Sequence, residues 1–285
     1  MNDYRRQQIH AKAVALLDEA GVSELPVDPK AIARHLGIEV EAKPPHIGGA
    51  SGWLIKAGED FAITYATHIP NEPFQRFSIA HELGHYWIDS HPEHIFKNGA
   101  MHSSHAGFGS ADPIELEADY FAACLLMPKT MCKRLIWANQ DGLAAAKALA
   151  EAANTSIQSA TIRYTEFSRV PSAIVLSHEG VVEYCLDSGL RKESGWPRGL
   201  ARGTHIPSGT ATARLVQDPA AIAKAEVDDD KASVADWFSG ANSESTVIEE
   251  AIGLGAYGRV LTLLRLEEKD EDEVDDRWEQ PQFRR

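Results

Sequence analysis

The stretch from Phe77 to Ser90 contains two histidines and a glutamate at a spacing that suits metal-dependent hydrolysis. If this stretch is helical, His81 and His85 lie one turn apart on one face, so both imidazoles can reach a single ion. Glu82 then lies at the rim of that face, where its carboxylate can hold a water molecule beside the ion. The H-E-x-x-H spacing is typical of sites in which two histidines bind Zn²⁺ and the glutamate acts as general base.

A helix is predicted here because apolar residues recur at helical spacing and no proline interrupts them. Gly84, in the middle of the stretch, costs about 1 kcal/mol of helix stability relative to alanine, so we expect another backbone to pass close to it. An amphipathic helix with two surface histidines and a solvated glutamate is the alternative. A third ligand is needed to decide between them.

A second helix, predicted over residues 113–127 and ended by Pro128, carries the candidate third ligand. Glu115 and Asp119 are four residues apart and share one face of this helix. A zinc site with two histidines needs one more protein ligand and an open position, and it also needs a carboxylate that fixes a histidine ring. We predict that Glu115 is the ligand and that Asp119 fixes the ring. In the alternative, Asp112 caps the helix and Glu115 closes a capping box.

Residues 90–111 are rich in histidine, glycine and serine, and the sequence predicts a loop. Clustered histidines can bind metal, but these follow no helical spacing, and solvated loop histidines are the favoured interpretation. One of them, or Tyr86, could instead hydrogen-bond a developing oxyanion. The four histidines of this stretch are His91, His94, His102 and His105.

Upstream of the site the sequence predicts a helix over residues 3–20, a short helix begun by Asp28 and Pro29, and strands over 38–42, 52–56 and 60–65. The last strand, Phe61–Tyr65, lies just before the metal-site helix. Its edge could pair with an extended peptide, or it could lie inside the sheet. The residues leave both possibilities open.

Composition narrows the class of protein. The net charge is −14, and the eight acidic residues and one lysine of 267–276 account for half of it, so the remaining chain is also acidic and broad nucleic-acid binding is not expected. No run of eighteen apolar residues exists, which argues against a membrane partner. The polar start of the chain is unlike a signal sequence, and three scattered cysteines do not form a disulfide framework. We therefore predict a cytoplasmic location.

Two separated motifs, Phe77–His85 and Glu115–Pro128, together resemble the ImmA/IrrE family of metallopeptidases, and Arg76 and Asn71–Pro73 fit the same pattern. The resemblance covers roughly residues 5–135. It implies an α+β fold with a zincin-like, gluzincin-type metalloendopeptidase domain that holds Zn²⁺ or Mn²⁺.

Transferred to this chain, the resemblance makes His81, His85 and Glu115 the ligands and Glu82 the base. Glu117 lies in the same motif and is the alternative third ligand. The resemblance also implies a protein substrate, an XRE-type helix-turn-helix repressor, whose cleavage derepresses stress-response or mobile-element genes. The alternative is a metal-dependent regulatory module that binds a repressor or DNA without hydrolysis. The intact Glu82 favours the enzyme, because a purely structural ion needs no base.

Four segments are predicted: a peptidase domain over 1–135, a helix-turn-helix-like segment over 136–168, a C-terminal α+β domain over 169–268 and an acidic tail over 269–285. Near the recognition-like helix of the second segment, Ser156–Tyr164, only Arg163 and Arg169 add positive charge, so direct DNA binding is not expected. A plain helix pair is the alternative. In the third, a hairpin over 172–186, helices near 219–226 and 237, and strands near 245–251 and 258–266 are predicted. The family resemblance implies a GAF-like sensor fold there.

Overall fold

The computed structural model describes residues 1–46, 48–104, 112–138, 141–190, 200–238 and 245–267. The chain divides into two compact units, Met1–Ser168 and Arg169–Arg285. The helices over 136–168 belong to the first unit in this division. The acidic tail over 269–285 lies outside the described residues.

The first unit combines helices with one mixed four-stranded sheet, and so confirms the predicted α+β class. Its helices are α1 (Asp3–Glu19), α2 (Pro29–His35), α3 (Glu72–Trp87), α4 (His91–Ile95), α5 (Pro113–Leu126), α6 (Lys129–Ala138), α7 (Leu143–Ala153) and α8 (Ile157–Phe167). Its strands are β1 (Glu39–Ala42), β2 (Gly52–Ala57), β3 (Asp60–Tyr65) and β4 (Met101–Ser104). The strand order is β1-β3-β2-β4, with β1 parallel to β3 and the other neighbours antiparallel.

Helix α3 is the central helix of this unit. It starts where the Asn71 side chain accepts a hydrogen bond from the Phe74 N–H, with a proline in the first turn. Every residue from Ser78 to His85 is buried, because the helix packs against β2 and β3 and also against α5. The two histidines and the glutamate therefore lie inside the protein and not on its surface.

Gly84 confirms the expectation of a close backbone. A Cβ at this position would lie 3.2 Å from the Ala118 Cα on α5 and 3.1 Å from the Phe121 ring. The glycine therefore lets α3 and α5 approach closely, which brings their ligand-bearing faces together.

Of the two positions that the sequence left open for strand β3, the structure shows the one inside the sheet. This strand pairs with β1 on one side, Val40 opposite Ile63, and with β2 on the other, Leu54 opposite Ile63. In the described part of the chain the edge on the β2 side is β4, where His102 lies opposite Leu54. Strand order depends on distant pairing, which the local pattern of β3 does not contain.

The prediction of a loop over residues 90–111 is partly wrong, because α4 and β4 occupy His91–Ile95 and Met101–Ser104. The Met-His-Ser-Ser sequence of β4 has low strand propensity, and only its pairing with β2 makes it a strand. Residues 105–111, including His105, lie outside the described residues.

Helices α7 and α8 pack against each other around a left-handed residue, Asn154, with φ of 50°. Arg163 on α8 is 2% exposed, pairs with Glu166 and donates a hydrogen bond to the Met127 carbonyl. This arginine therefore supports the packing of the helices and is not available to a nucleic acid.

The second unit is built on a five-stranded antiparallel sheet in the order β6-β5-β9-β8-β7. Strand β7 is missing from the sequence prediction, because its three consecutive aspartates disfavour a strand. At the sheet edge Asp228 and Asp230 accept hydrogen bonds from Arg214, and Asp229 is exposed. The strands are β5 (Ser172–His178), β6 (Val181–Ser188), β7 (Val227–Ser233), β8 (Thr246–Gly253) and β9 (Arg259–Leu266), and the helices are α9 (Ala211–Val216), α10 (Pro219–Ala223) and α11 (Val234–Trp237). None of the described helices in either unit is long and apolar enough to cross a membrane.

Candidate metal centre

The three predicted ligands lie together in the first unit. One ligand atom from each of His81, His85 and Glu115 lies within 4.8 Å of the others. The two Nε2 atoms are 3.0 Å apart, and the Glu115 carboxylate oxygens lie 3.2 Å from His81 Nε2 and 3.4 Å from His85 Nε2. Helix α3 contributes both imidazoles and α5 contributes the carboxylate.

These distances fit a metal ion. Ligand atoms bound at about 2.0–2.1 Å to a tetrahedral Zn²⁺ lie about 3.3 Å from one another, close to the spacings between the imidazole and carboxylate atoms. Two imidazole lone pairs and a carboxylate at such distances repel unless a proton or a cation lies between them. Two nitrogens and one oxygen are also the donor set that zinc accepts in catalytic sites.

The pKa values of His81, His85 and Glu115 are shifted by burial and by their contacts with one another. Although burial opposes it, hydrogen bonds to Asp119 and Glu115 raise the pKa of His81 to about 10, whereas burial lowers the pKa of His85 to about 3. Against its own burial, the contacts with His102, His81 and His85 hold the pKa of Glu115 well below its usual range. Below its pKa of about 10, His81 carries a second ring proton, on Nε2 beside Glu115, and a metal ion would compete with this proton for the Nε2 lone pair.

Asp119 lies where the sequence predicts it, next to a ligand. Its Oδ1 is 2.8 Å from His81 Nδ1, and the carboxylate is 2% exposed. Since a carboxylate accepts, Nδ1 carries the proton, and Nε2 faces the other ligand atoms. Asp112 caps α5 by accepting a hydrogen bond from the Ile114 N–H, so capping and ligation are divided between two residues.

Glu82 is fully buried beside these candidate ligands, and within the described part of the chain neither of its carboxylate oxygens makes a hydrogen bond of normal geometry. Burial raises its pKa to about 7, although the attraction of His81 and the nearby Ser104 hydroxyl lower it. Gly52 on β2 makes room for this side chain, because a Cβ there would lie 2.5 Å from Glu82 Oε1. A buried carboxylate without partners is costly, and a pKa near 7 suits a general base.

Two histidines that the sequence suggested were solvated instead join the site. His102 on β4 lies 3.1 Å from Glu115 Oε1 through its Nε2. His91 on α4 is fully buried, with its Nδ1 3.3 Å from His85 Nδ1. The sequence feature that indicates these two histidines is their position shortly after the H-E-x-x-H motif. The predicted loop favoured solvated side chains instead. His94, by contrast, is exposed as expected.

Glu117 and Tyr86 are not at the three ligand atoms. Arg5 donates to both carboxylate oxygens of Glu117, at 2.9 and 2.5 Å, and His91 Nε2 lies 3.1 Å from Glu117 Oε2. Tyr86 packs edge-to-face on Phe61, with ring centroids 4.9 Å apart. Among the candidates for third ligand, Glu115 therefore has the better position.

Comparison with known families matches residues 66–165 to the peptidase M78 family model, described as the IrrE N-terminal-like domain. Residues 66–165 form an IrrE N-terminal-like domain. The resemblance seen in the two motifs is confirmed, and this IrrE-like domain contains α3 and α5 with all of the candidate ligands. The mixed helices and strands of this domain fit the zincin-like metallopeptidase fold.

Among solved structures, the chain is similar to a Mycobacterium tuberculosis transcriptional regulator. The TM-score is 0.57, the identity is 12%, and the match covers 91% of this chain and 76% of that chain. At this identity the likeness concerns the fold alone. No curated protein sequence matches the chain significantly.

Proposed function

We propose that the protein is a metal-dependent endopeptidase in which His81, His85 and Glu115 hold the ion and Glu82 is the general base. The observation that carries this proposal is the fully buried carboxylate of Glu82, which makes no hydrogen bond of normal geometry to the described residues and lies beside the three candidate ligand atoms. A metal site with only a structural role needs ligands but has no need for an unpartnered carboxylate.

In this proposal the residues around the ion have separate chemical roles. When bound, Zn²⁺ or Mn²⁺ supplies Lewis acidity that polarises a carbonyl and acidifies water. Glu82 takes the proton from the attacking water and later delivers it to the leaving amine. Asp119 keeps the proton of His81 on Nδ1, so that Nε2 stays free to act as a ligand.

The position of β4 supports a peptide substrate. In the described part of the chain this strand pairs with β2 and presents its other edge, to which an extended peptide can add a strand. His102 projects from β4 to Glu115, and its side chain is 20% exposed, whereas those of His81 and His85 are 1% and 0% exposed. We propose that the His102 Nε2–H, which faces Glu115 in this structure, turns in the substrate complex to the carbonyl oxygen on which charge develops.

For the substrate we propose an XRE-type helix-turn-helix repressor, cleaved in the cytoplasm to derepress a stress-response or mobile-element regulon. Support comes from the IrrE N-terminal-like domain and from the fold shared with a protein described as a transcriptional regulator. The second unit, for which we propose a GAF-like sensing role, would control the cleavage. The same likeness to a regulator supports a second candidate, a metal-dependent module that binds a repressor or DNA without hydrolysis.

The test uses purified full-length protein loaded with Zn²⁺ or Mn²⁺. It is incubated with a proteome-derived peptide library and, separately, with intact helix-turn-helix repressors from the same genome, and products are identified by mass spectrometry. We expect cleavage that disappears in Glu82→Gln and after chelation. Tight repressor binding with no cleavage by the loaded wild type would favour the regulatory module, and cleavage by Glu82→Gln would contradict the assigned base.

A further inference from the structure

The second ring nitrogen of His85 begins a chain of contacts that the peptidase chemistry does not use directly. His85 Nδ1 lies 3.3 Å from His91 Nδ1, and His91 Nε2 lies 3.1 Å from Glu117 Oε2. Glu117 in turn accepts hydrogen bonds from Arg5 Nε and Nη2. The four residues come from α3, α4, α5 and α1, and both histidines are fully buried.

The carboxylate of Glu117 determines the direction of these hydrogen bonds. Because a carboxylate paired with arginine accepts only, His91 must carry a proton on Nε2. Neutral His91 then has its lone pair on Nδ1, so His85 must donate from Nδ1. His85 is thereby left with its lone pair on Nε2, which faces Glu115 and His81. This tautomer is the one that can bind a metal ion.

The opposite direction of these hydrogen bonds is unfavourable at both His85 and His91. If His91 donated from Nδ1, the proton of His85 would have to lie on Nε2, where it would block the ligand position. The His91 Nε2 lone pair would at the same time face the Glu117 carboxylate at 3.1 Å, which is repulsive. With both imidazoles neutral, only this assignment gives the His85–His91 and His91–Glu117 contacts a donor and an acceptor each.

We propose that His91, Glu117 and Arg5 form a positioning relay that sets the tautomer and the ring orientation of the metal ligand His85. The inference rests on the proposed metal site and deepens it. His81 receives this support from one carboxylate in direct contact, whereas His85 receives it through an intervening imidazole. The relay gives Glu117 a role other than ligation. It also connects α1, which precedes the matched residues 66–165, to the metal centre.

The first measurement is the tautomer itself. In ¹⁵N-histidine-labelled protein, long-range ¹H–¹⁵N spectra of the imidazoles distinguish Nδ1–H from Nε2–H. We expect His85 protonated on Nδ1 and His91 on Nε2, with or without Zn²⁺, and His91→Gln identifies the His91 signals. A wild-type His91 protonated on Nδ1 would overturn the relay.

The second measurement is Zn²⁺ affinity, by competition with a chromophoric chelator and without any substrate. Loss of an outer hydrogen-bond partner typically weakens metal binding about 10–100-fold, and we expect this for His91→Gln and Glu117→Ala, with a smaller loss for Arg5→Met. Glu183→Ala is the matched control, because Glu183 forms a comparable two-contact pair with Arg259 in the second unit, at 2.7 and 3.1 Å. It should leave the affinity unchanged.

A double-variant cycle separates a relay from a general loss of structure. Since Glu117 acts through His91, adding Glu117→Ala to His91→Gln should weaken Zn²⁺ binding no further, and effects that multiply would contradict the relay. Circular dichroism and thermal unfolding in chelator report folding, and Glu117→Gln replaces any variant that does not fold. If the wild type binds Zn²⁺ and obeys the cycle but cleaves nothing, the relay stands and the proposed peptidase function fails. If the affinities of all variants equal that of the wild type, the relay alone fails.

Discussion

The two units each contain a fully buried glutamate, and the surroundings of the two carboxylates are opposite. In the second unit Glu249 Oε1 accepts hydrogen bonds from the Thr212 N–H at 2.7 Å and its hydroxyl at 2.6 Å, and Oε2 accepts one from the Trp237 indole at 3.2 Å. In the first unit neither oxygen of Glu82 makes a hydrogen bond of normal geometry to any residue that the structure describes.

This difference is the one expected between a structural carboxylate and the general base that we propose for Glu82. Glu249 joins α9 and α11 to strand β8, so its burial is offset by the bonds it accepts. Glu82 has no such compensation, and burial without compensation costs several kcal/mol for an ionised group. A protein retains such a group where a reaction uses it, which is why perturbed and unpartnered titratable residues cluster at functional sites.

The largest expected effect tests the reactive half of the comparison. Glu82→Gln keeps the shape of the side chain but removes its basicity, so peptide cleavage should fall about 10²–10⁴-fold, the usual contribution of general acid–base catalysis. Zn²⁺ binding should persist, because Glu82 is not among the three ligands. Initial rates and a chelator competition measure the two quantities. Equal losses of rate and of metal affinity would mean that Glu82 acts as a ligand.

Removal of the metal ion should affect one unit and not the other. A ligand present at about 1,000 times its dissociation constant stabilises the folded state by about 4 kcal/mol, so chelation should accelerate hydrogen exchange in α3 and α5. The amides of β8 next to Glu249 should keep their exchange rates, because the ligands all lie in the first unit. Hydrogen-exchange mass spectrometry checks both, and a uniform change over the two units would contradict this expectation.

Glu249→Leu tests the structural half of the comparison. The substitution leaves the Thr212 N–H and the Trp237 indole N–H buried without acceptors, at about 1–3 kcal/mol each. We expect a loss of about 3 kcal/mol in urea unfolding, a smaller loss for Glu249→Gln, and unchanged Zn²⁺ affinity. A stability equal to that of the wild type would show that these hydrogen bonds do not support the sheet.

A pair of glycines provides the finest test. A Cβ at Gly52 would lie 2.5 Å from the Glu82 carboxylate, and one at Gly253 would lie 2.5 Å from the Ile222 backbone. Gly52→Ala should displace Glu82 and slow cleavage about 10-fold or more, since small misplacements of reacting groups are costly. Gly253→Ala should destabilise the second unit by about 1–3 kcal/mol without changing the cleavage rate. Enzyme assays and urea unfolding of both variants check this, and an unchanged rate in Gly52→Ala would contradict the placement of Glu82.

Much of the candidate site can be predicted from short-range spacing. His81, Glu82 and His85 lie within about one turn of a single helix. Glu115 and Asp119 lie one turn apart on another helix. Helical geometry alone then determines which side chains share a face. The mid-helix Gly84 also carried usable information, because its cost in helix stability requires compensation, which the close approach of Ala118 supplies.

Other parts of the site depend on contacts between distant segments. Arg5 and Glu117 are 112 residues apart, and neither residue has a local pattern that indicates the other. The position of β4 at the sheet edge, with β3 inside the sheet, has the same origin. The local sequence of a strand does not determine its neighbours, and only the pairing of distant strands decides their order.

By itself the sequence determined the two ligand-bearing helices, the residue types they present and the α+β class, because these follow from periodicities within about fifteen residues. Only the tertiary structure decided that His91 and His102 belong to the site, that Glu117 pairs with Arg5, and that Glu82 is left without a partner. The physical reason is that burial and hydrogen-bond partnership belong to the packed chain as a whole. Whether a given carboxylate is satisfied depends on which distant segments reach it.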